Sequence, residues 1–496
     1  MESLQIEQKI ILTNKQKDAL SSMLNGDNVF LTGPAGCGKT FILNRFIDEI
    51  EDKNSQLPKY SKKKIYKTST TGISAINIGG QTLHSYAGIG LGKQDVNKLI
   101  GKIMRKSETL NRWKMTDILI IDEISMLSAE LFDKLEEISR RVRKNDDIFG
   151  GIQIILSGDF AQLPIINKNA TICFESKKWN KVLDKIFYFD EIMRQTDKKF
   201  QNILNKIRMG ICDIDVVEAI ISRKGLLDSK NNIKNNNKTK NKKNITDFSF
   251  SNIISNSNSD ESDELNIKPT ILYSLNKMVE NENQREYKRL IDNGNQNKNF
   301  LATVFIKNIH KKEELCNEKK ITKSNNYWKN LDKLCIAPKI LKLVVGAQIV
   351  VIKNIFNLGL VNGSRGIVTG FTKSGFPLVE FINGKTIVIK PETWEINLGS
   401  FEKTIKIFNK KETYKRVLTI MQLPIKLAFA LSIHKSQGMT IDCVRTNIGN
   451  SIFSTGQIYT VLSRVRSLEN LYIDDFNPSK IRINPKVKRF YKKLSK

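Results

Sequence analysis

The stretch Gly33-Pro34-Ala35-Gly36-Cys37-Gly38-Lys39-Thr40 constrains this chain more than any other. It follows the apolar residues 28–32, which read as a buried strand. It precedes residues 41–47, whose apolar spacing suits a helix. Strand, glycine-rich turn and helix is the setting in which this spacing binds phosphate. The glycines let backbone N–H groups close round a β-phosphate, and the helix N-terminus adds a favourable dipole. On this reading residues 33–40 bind ATP, Lys39 reaches its β- and γ-phosphates, and Thr40 holds Mg²⁺. The bland alternative is a glycine turn between strand and helix, and the flanks favour the nucleotide.

A chain of 496 residues is too long for one ordinary core and predicts two to four domains. Lys and Arg number 81 against 51 acids, a formal charge of +30, which favours a polyanion such as nucleic acid. The six cysteines are scattered without a C-x-x-C pair, and His84, His310 and His434 do not cluster with them. That pattern predicts reduced thiols and neither a disulfide frame nor a zinc site. Residues 1–7 resemble neither a secretory signal nor a mitochondrial transit peptide, which predicts an intracellular protein, nuclear or cytoplasmic. The most apolar long run, residues 343–360, is interrupted by Gln348, Lys353, Asn354 and Asn357, so no membrane span is expected.

Ahead of the glycine loop, the amide of Gln16 offers a donor and an acceptor together, the pair needed to read adenine. Residues 65–69 read as a strand, and Thr70-Thr71-Gly72 as a turn into a helix. Residues 79–90, with small residues, hydroxyls, His84 and Tyr86, suit a backbone-and-base contact surface as well as a structural loop. Residues 117–121 form a hydrophobic strand that ends in Asp122 and Glu123. After a phosphate loop, that position gives Asp122 to the Mg²⁺ shell and makes Glu123 the group that polarises the attacking water. A further strand at 152–156 leads to Gln162, placed at a strand's C-terminal end to sense the γ-phosphate. Between these strands a core-facing helix ends in the basic cluster Arg140, Arg141, Arg143 and Lys144.

The stretch from Asp122 to Pro164 closely resembles the Pif1 helicases of superfamily 1B, near the RecD-like enzymes. The carriers are Ile124-Ser125-Met126-Leu127, the helix after it, Arg143-Lys144-Asn145-Asp146 and Gly150-Gly151-Ile152-Gln153. Ala161 and Ile165 depart from that pattern, replacing a bulkier aromatic and a second proline. The resemblance implies an α/β fold of two RecA-like P-loop domains with parallel sheets, plus a small SH3-like β-barrel insertion. It places Arg194, in residues 189–195, at the γ-phosphate across a domain cleft. Residues 423–440 resemble the fifth motif, whose Ser432, His434, Lys435 and Thr440 offer donors to a nucleic-acid backbone. Thr71 and His84 belong to the same expected surface. Gln437 and Gly438 link it to the ATP cleft. Residues 456–466 resemble the sixth motif and make Arg464 a second arginine finger.

The expected domains are 1–190, carrying the P-loop and a wedge at about 91–112; 191–340, the first part of the second motor domain; 341–422, the SH3-like unit; and 423–496, the rest of the second domain with a basic tail. Short strands at 341–351, 366–371, 378–381 and 386–389 are read into the SH3-like unit. An Asn-, Lys- and Ser-rich stretch at about 229–264, with the basic run 238–243, reads as a disordered insertion. The resemblance implies an ATP-dependent DNA helicase that moves 5′→3′ on single-stranded DNA and opens duplex junctions in replication, repair or recombination; a monomer is expected. A P-loop ATPase of another class, or a translocase that does not separate strands, remains the alternative.

Overall fold

The computed structural model describes residues 12–494, apart from 59, 166–169, 227–266, 311–314, 323, 330, 332–334, 336, 361, 383 and 406–409. Residues 1–7 and the insertion expected at 229–264 lie outside the described residues. No helix among the described residues is long and apolar enough to cross a membrane.

The first sheet has six strands: β1 (Val29–Thr32), β2 (Ile65–Ser69), β3 (Gln81–Thr82), β4 (Ile118–Asp122), β5 (Gln153–Gly158) and β6 (Lys185–Tyr188). Their order is β3-β2-β4-β5-β1-β6, and every pairing is parallel. A parallel sheet is covered on both faces, and the central strands β1, β4 and β5 are buried along almost their whole length. Alternation along the strands decides the layers. Val29, Leu31, Ile118, Ile120 and Ile155 pack on the helices Asn14–Leu24 and Lys39–Ser55. Phe30, Leu119, Ile121, Ile154 and Leu156 face the helix Ala129–Arg143. The segment read as a wedge, at about 91–112, lies in the helices Val96–Met104 and Ser107–Met115, whose Leu99, Ile100, Ile103 and Trp113 join that second layer.

A second parallel sheet runs in the order Ala430–Ser432, Thr270–Tyr273, Val444–Ile448, Leu471–Phe476. The chain leaves it after Tyr273 and returns at Ala430. Within that excursion the strands differ from the expected layout. Residues 341–351 do not form one strand. Ile340–Val344 pairs with Asn297–Leu301, and Gln348–Val351 joins a different sheet. The chain breaks at Gly346, whose φ of +86° is the left-handed turn that glycine tolerates. The small antiparallel sheet has five strands: Thr386–Val388, Pro377–Phe381, Arg365–Phe371, Gln348–Val351 and Ile425–Leu427. Residues 392–422 do not belong to it. Glu392–Ile405 and Lys410–Gln422 make a long hairpin, and the latter strand pairs with Thr303–His310 in a separate four-stranded sheet.

The basic tail also departs from its expected place. Its helix, Pro485–Leu494, packs on the first sheet's core. Val487, Phe490, Tyr491 and Leu494 recur at helical spacing and make one apolar stripe, which only a large exposed core face can cover.

Candidate nucleotide and nucleic-acid site

The order β4-β5-β1 puts the ends of three adjacent strands side by side, and each carries one expected motif. Thr32 pairs with Gly158, and Ile121 with Leu156, so the glycine loop, Asp122 and the Asp159 turn share one sheet edge. The loop then opens into the helix beginning at Lys39. Lys39 Nζ donates to the carbonyls of Gly33 at 2.8 Å and Pro34 at 2.9 Å, which holds the ammonium over the loop. Asp122 is buried; its Oδ1 accepts from the Glu123 N–H at 2.9 Å and its Oδ2 from Ser74 Oγ at 3.1 Å. Burial raises its pKa against the opposing pull of those donors and of Lys39. Glu123 adopts a left-handed backbone, φ 54°, unusual for a side chain of its size. Burial and the neighbouring Asp122 push its carboxyl up to about 7, against Lys39, Arg464 and a hydrogen bond from Gln437. A carboxylate tuned near neutrality suits a general base.

Four contacts close the cleft from the other side. A Cβ on Gly36 would lie 2.6 Å from Arg194 Cβ, so only glycine lets that arginine seat on the loop. The Ala35 N–H donates to the Tyr459 hydroxyl at 2.7 Å. Gln437 Nε2 donates to Glu123 Oε2 at 2.8 Å. Gly456, φ +75°, packs so closely on the Gln162 carbonyl that a Cβ there would lie 2.1 Å from its oxygen. Arg194 and Arg464 are thereby neighbours. Arg194 Nη1 donates to the Ser463 carbonyl at 2.8 Å, and Gln195 Nε2 reaches the Val465 carbonyl at 2.6 Å. Burial and the repulsion of Arg464 lower Arg194 to about 9. Arg464 is 1% exposed; its guanidinium donates to the carbonyls of Thr460 and Met439 and to Ser463 Oγ. Burial lowers its pKa, opposed by Glu123 and Tyr459.

Gln16 sits against the loop, but its amide is already engaged. Oε1 accepts from the Thr13 N–H at 3.1 Å in a capping box, and Nε2 donates to the Cys37 carbonyl at 3.3 Å. One N–H and one lone pair of the amide remain to read adenine. The expected nucleic-acid residues fall at the strand ends of both parallel sheets. Thr71 follows β2, and its hydroxyl accepts from the Ser74 N–H at 3.2 Å; His84 lies on the short helix Leu83–Ala87. Ser432 ends its strand and is buried, with its hydroxyl accepting from the Lys435 N–H at 3.4 Å. His434 and Lys435 lie on the following turn, with Lys435 exposed, and Thr440 comes five residues after Lys435. Burial lowers the pKa of both His84 and His434.

Four side chains, Tyr459, Tyr491, Asp159 and Arg208, take roles that the sequence reading did not assign. Tyr459 was legible only as part of a motif. Tyr491 bonds Thr32 Oγ1 at 2.9 Å and accepts from the Phe160 N–H at 2.9 Å, tying the tail helix to the strand before the loop. Asp159 takes Arg208 in a two-pronged pair at 2.9 and 3.0 Å, both buried, and the guanidinium lies 4.2 Å from the Tyr491 ring centroid. Burial alone raises Asp159; the paired Arg208 more than offsets it and holds the carboxyl below its ordinary value. No periodicity marks such long-range partners.

Comparison with known proteins gives one consistent answer. The family model of PIF1-like helicases matches residues 3–217, and that of the DNA helicase Pif1 2B domain matches residues 326–371. The ATP-dependent DNA helicase PIF1 of Xenopus laevis is 34% identical over 100% of this chain and 66% of its own length. The chain thus spans about two thirds of the length of the vertebrate PIF1 helicases it matches. The crystal structure of Pif1 helicase from Candida albicans is 31% identical, with a TM-score of 0.69 over 98% of this chain and 100% of that one. Bacteroides sp Pif1 in complex with ADP-AlF4 is 25% identical, with a TM-score of 0.68, covering 98% and 97%. The Bacteroides Pif1 bound to ssDNA is 26% identical, with a TM-score of 0.56 and the same coverage.

Proposed function

The chain belongs to the PIF1-like helicases, and from that premise we propose that it is an ATP-dependent DNA helicase. The observation that carries this is the shared cleft: Arg194 on the glycine loop at Gly36, and Gln437 on Glu123. A site of that kind answers one triphosphate from two sides.

In this reading the amides of residues 33–40 and Lys39 hold the phosphates of ATP, and Lys39 exchanges its bonds to the loop carbonyls for phosphate oxygens. Thr40, in the first turn of the helix after the glycine loop, and Asp122, at the end of β4, are hard oxygen donors at one sheet edge and would hold Mg²⁺. The metal would neutralise developing negative charge on the phosphates. Glu123 takes the proton of the attacking water, and Gln162 senses the γ-phosphate. Arg194 and Arg464 stabilise charge spreading over the transferring phosphoryl group. Loss of that group removes the bridge between the two walls, and the cleft reopens. Thr71 and His84 on one half, and Ser432, His434, Lys435 and Thr440 on the other, then grip a single strand in alternation. Two RecA-like domains form this motor, one at 12–190 and the other assembled around the second parallel sheet. The Bacteroides Pif1 structure with bound ssDNA supports single-stranded DNA as the track. Movement in the 5′→3′ direction, action at duplex junctions as a monomer, and roles in replication, repair or recombination complete the proposal.

Unwinding of duplexes with a 5′ or a 3′ overhang, with and without ATP, tests it. ATP-dependent unwinding from the 5′ overhang alone is expected. No unwinding of either substrate, or unwinding from the 3′ overhang alone, contradicts the proposal.

A further inference from the structure

Gln437 crosses the cleft to Glu123 over 314 residues of sequence. The side chain is 3% exposed, and its other end, Oε1, is buried without a hydrogen-bond partner. The orientation of the amide is set by its neighbour, because the reverse assignment would face a carbonyl oxygen with a carboxylate oxygen. A buried amide oxygen without a donor is costly, so a donor belongs beside it. That donor must lie within reach of the general base, since the same amide holds the Glu123 carboxylate. The turn that carries Gln437 also holds the second arginine: Arg464 Nη1 donates to the Met439 carbonyl at 3.3 Å and reaches the Ser436 carbonyl at 3.5 Å.

We propose that Gln437 is a catalytic residue that shares the attacking water with Glu123: Nε2 fixes the carboxylate, and Oε1 accepts a hydrogen bond from the water. This rests on the reading of the cleft as an ATPase. The water oxygen forms a bond to the γ-phosphorus while the bond from that phosphorus to the ADP oxygen breaks. One water proton passes to the Glu123 carboxylate. The other, held by Gln437 Oε1, stays with the phosphate product, so no further reactant is needed. The water is then positioned only while the second half is docked on the first. Because Gln437 follows the turn that bears His434 and Lys435, strand contact there sets its position.

The test compares the parent with Gln437→Met, close in shape but without donor or acceptor, and with Gln437→Asn, which withdraws the amide by one methylene. Each full chain is measured for ATP hydrolysis with saturating single-stranded DNA, for binding of a non-hydrolysable ATP analogue, and for DNA binding. The expected result is a kcat at least about 10-fold lower for Gln437→Met, with KM, analogue affinity and DNA affinity within about twofold of the parent. Gln437→Asn should fall between the two, and it carries the same comparison if the methionine variant does not fold. Turnover at the parent rate overturns the proposal, as does a loss of kcat matched by loss of analogue or DNA affinity, which a merely structural amide would give. A parent protein without DNA-stimulated hydrolysis would instead sink the reading of the cleft itself.

Discussion

The two halves of the molecule build their sheets in different ways. The first sheet is made by one continuous stretch, residues 29–188, and three neighbouring strand ends deliver the glycine loop, Asp122 and the Asp159 turn to one edge. The second takes Thr270–Tyr273, loses the chain to other sheets, and regains it at Ala430. Its contributions to the cleft, Arg194, Gln437, Tyr459 and Arg464, come from three separated segments and meet only after folding. A parallel sheet needs its strand ends close, not its sequence continuous, so chain can be inserted between strands without moving the site. In the proposed function, the nucleotide-binding groups sit on the continuous half, and the groups that answer them sit on the interrupted half. Substitutions on the two walls should therefore fail differently.

The largest effect belongs to the first wall. Lys39→Ala should abolish hydrolysis and unwinding, by about 10³-fold or more, and weaken nucleotide binding with it. On the second wall Arg194→Ala should lower kcat by about 10²-fold while the affinity for a non-hydrolysable ATP analogue changes little. Equal loss of affinity on both walls would erase the distinction. Lys435→Ala should leave nucleotide binding alone, weaken single-stranded DNA binding several-fold, and reduce the salt slope by ~0.7. An unchanged slope removes Lys435 from the track.

The smallest effect is one of stability. Glu123 has a folded-state pKa of about 7, above its ordinary 4.5. The folded protein therefore favours the protonated form, and its stability falls as pH rises from about 4.5 towards 7, where both states end ionised. In nucleotide-free protein with chelator, Glu123→Gln should raise stability by about 1–3 kcal/mol at pH 8 and change it little near pH 4.5. Thermal unfolding at the two pH values measures this, and equal shifts at both would contradict the burial of that charge.

The same contrast explains how much could be read in advance. The first half is legible because its signals are local: apolar strands, a glycine turn with the right spacing, and two acids at a strand end. Arg194 and Arg464 were legible through motif resemblance alone, since nothing within ten residues of either says that they meet. The break at Gly346 was hidden inside an apolar run that reads as one strand. The hairpin at 392–422 pairs with Thr303–His310, a partner set by tertiary packing, not by pattern. Gln16 looked like a free amide, but its bonds to Thr13 and Cys37 depend on how the first helix lies against the loop. The tail reads as basic in sequence, which hides both its apolar stripe and the core that the stripe covers.

The central claim is that both walls act on a single triphosphate, and a double-mutant cycle between Glu123→Gln and Arg464→Ala tests it most directly. With kcat for DNA-stimulated ATP hydrolysis as the readout, the account predicts that the double variant loses little more than the worse single one, because the two groups serve one transition state. Losses that simply multiply, or an Arg464→Ala protein that hydrolyses ATP at the parent rate, would contradict it.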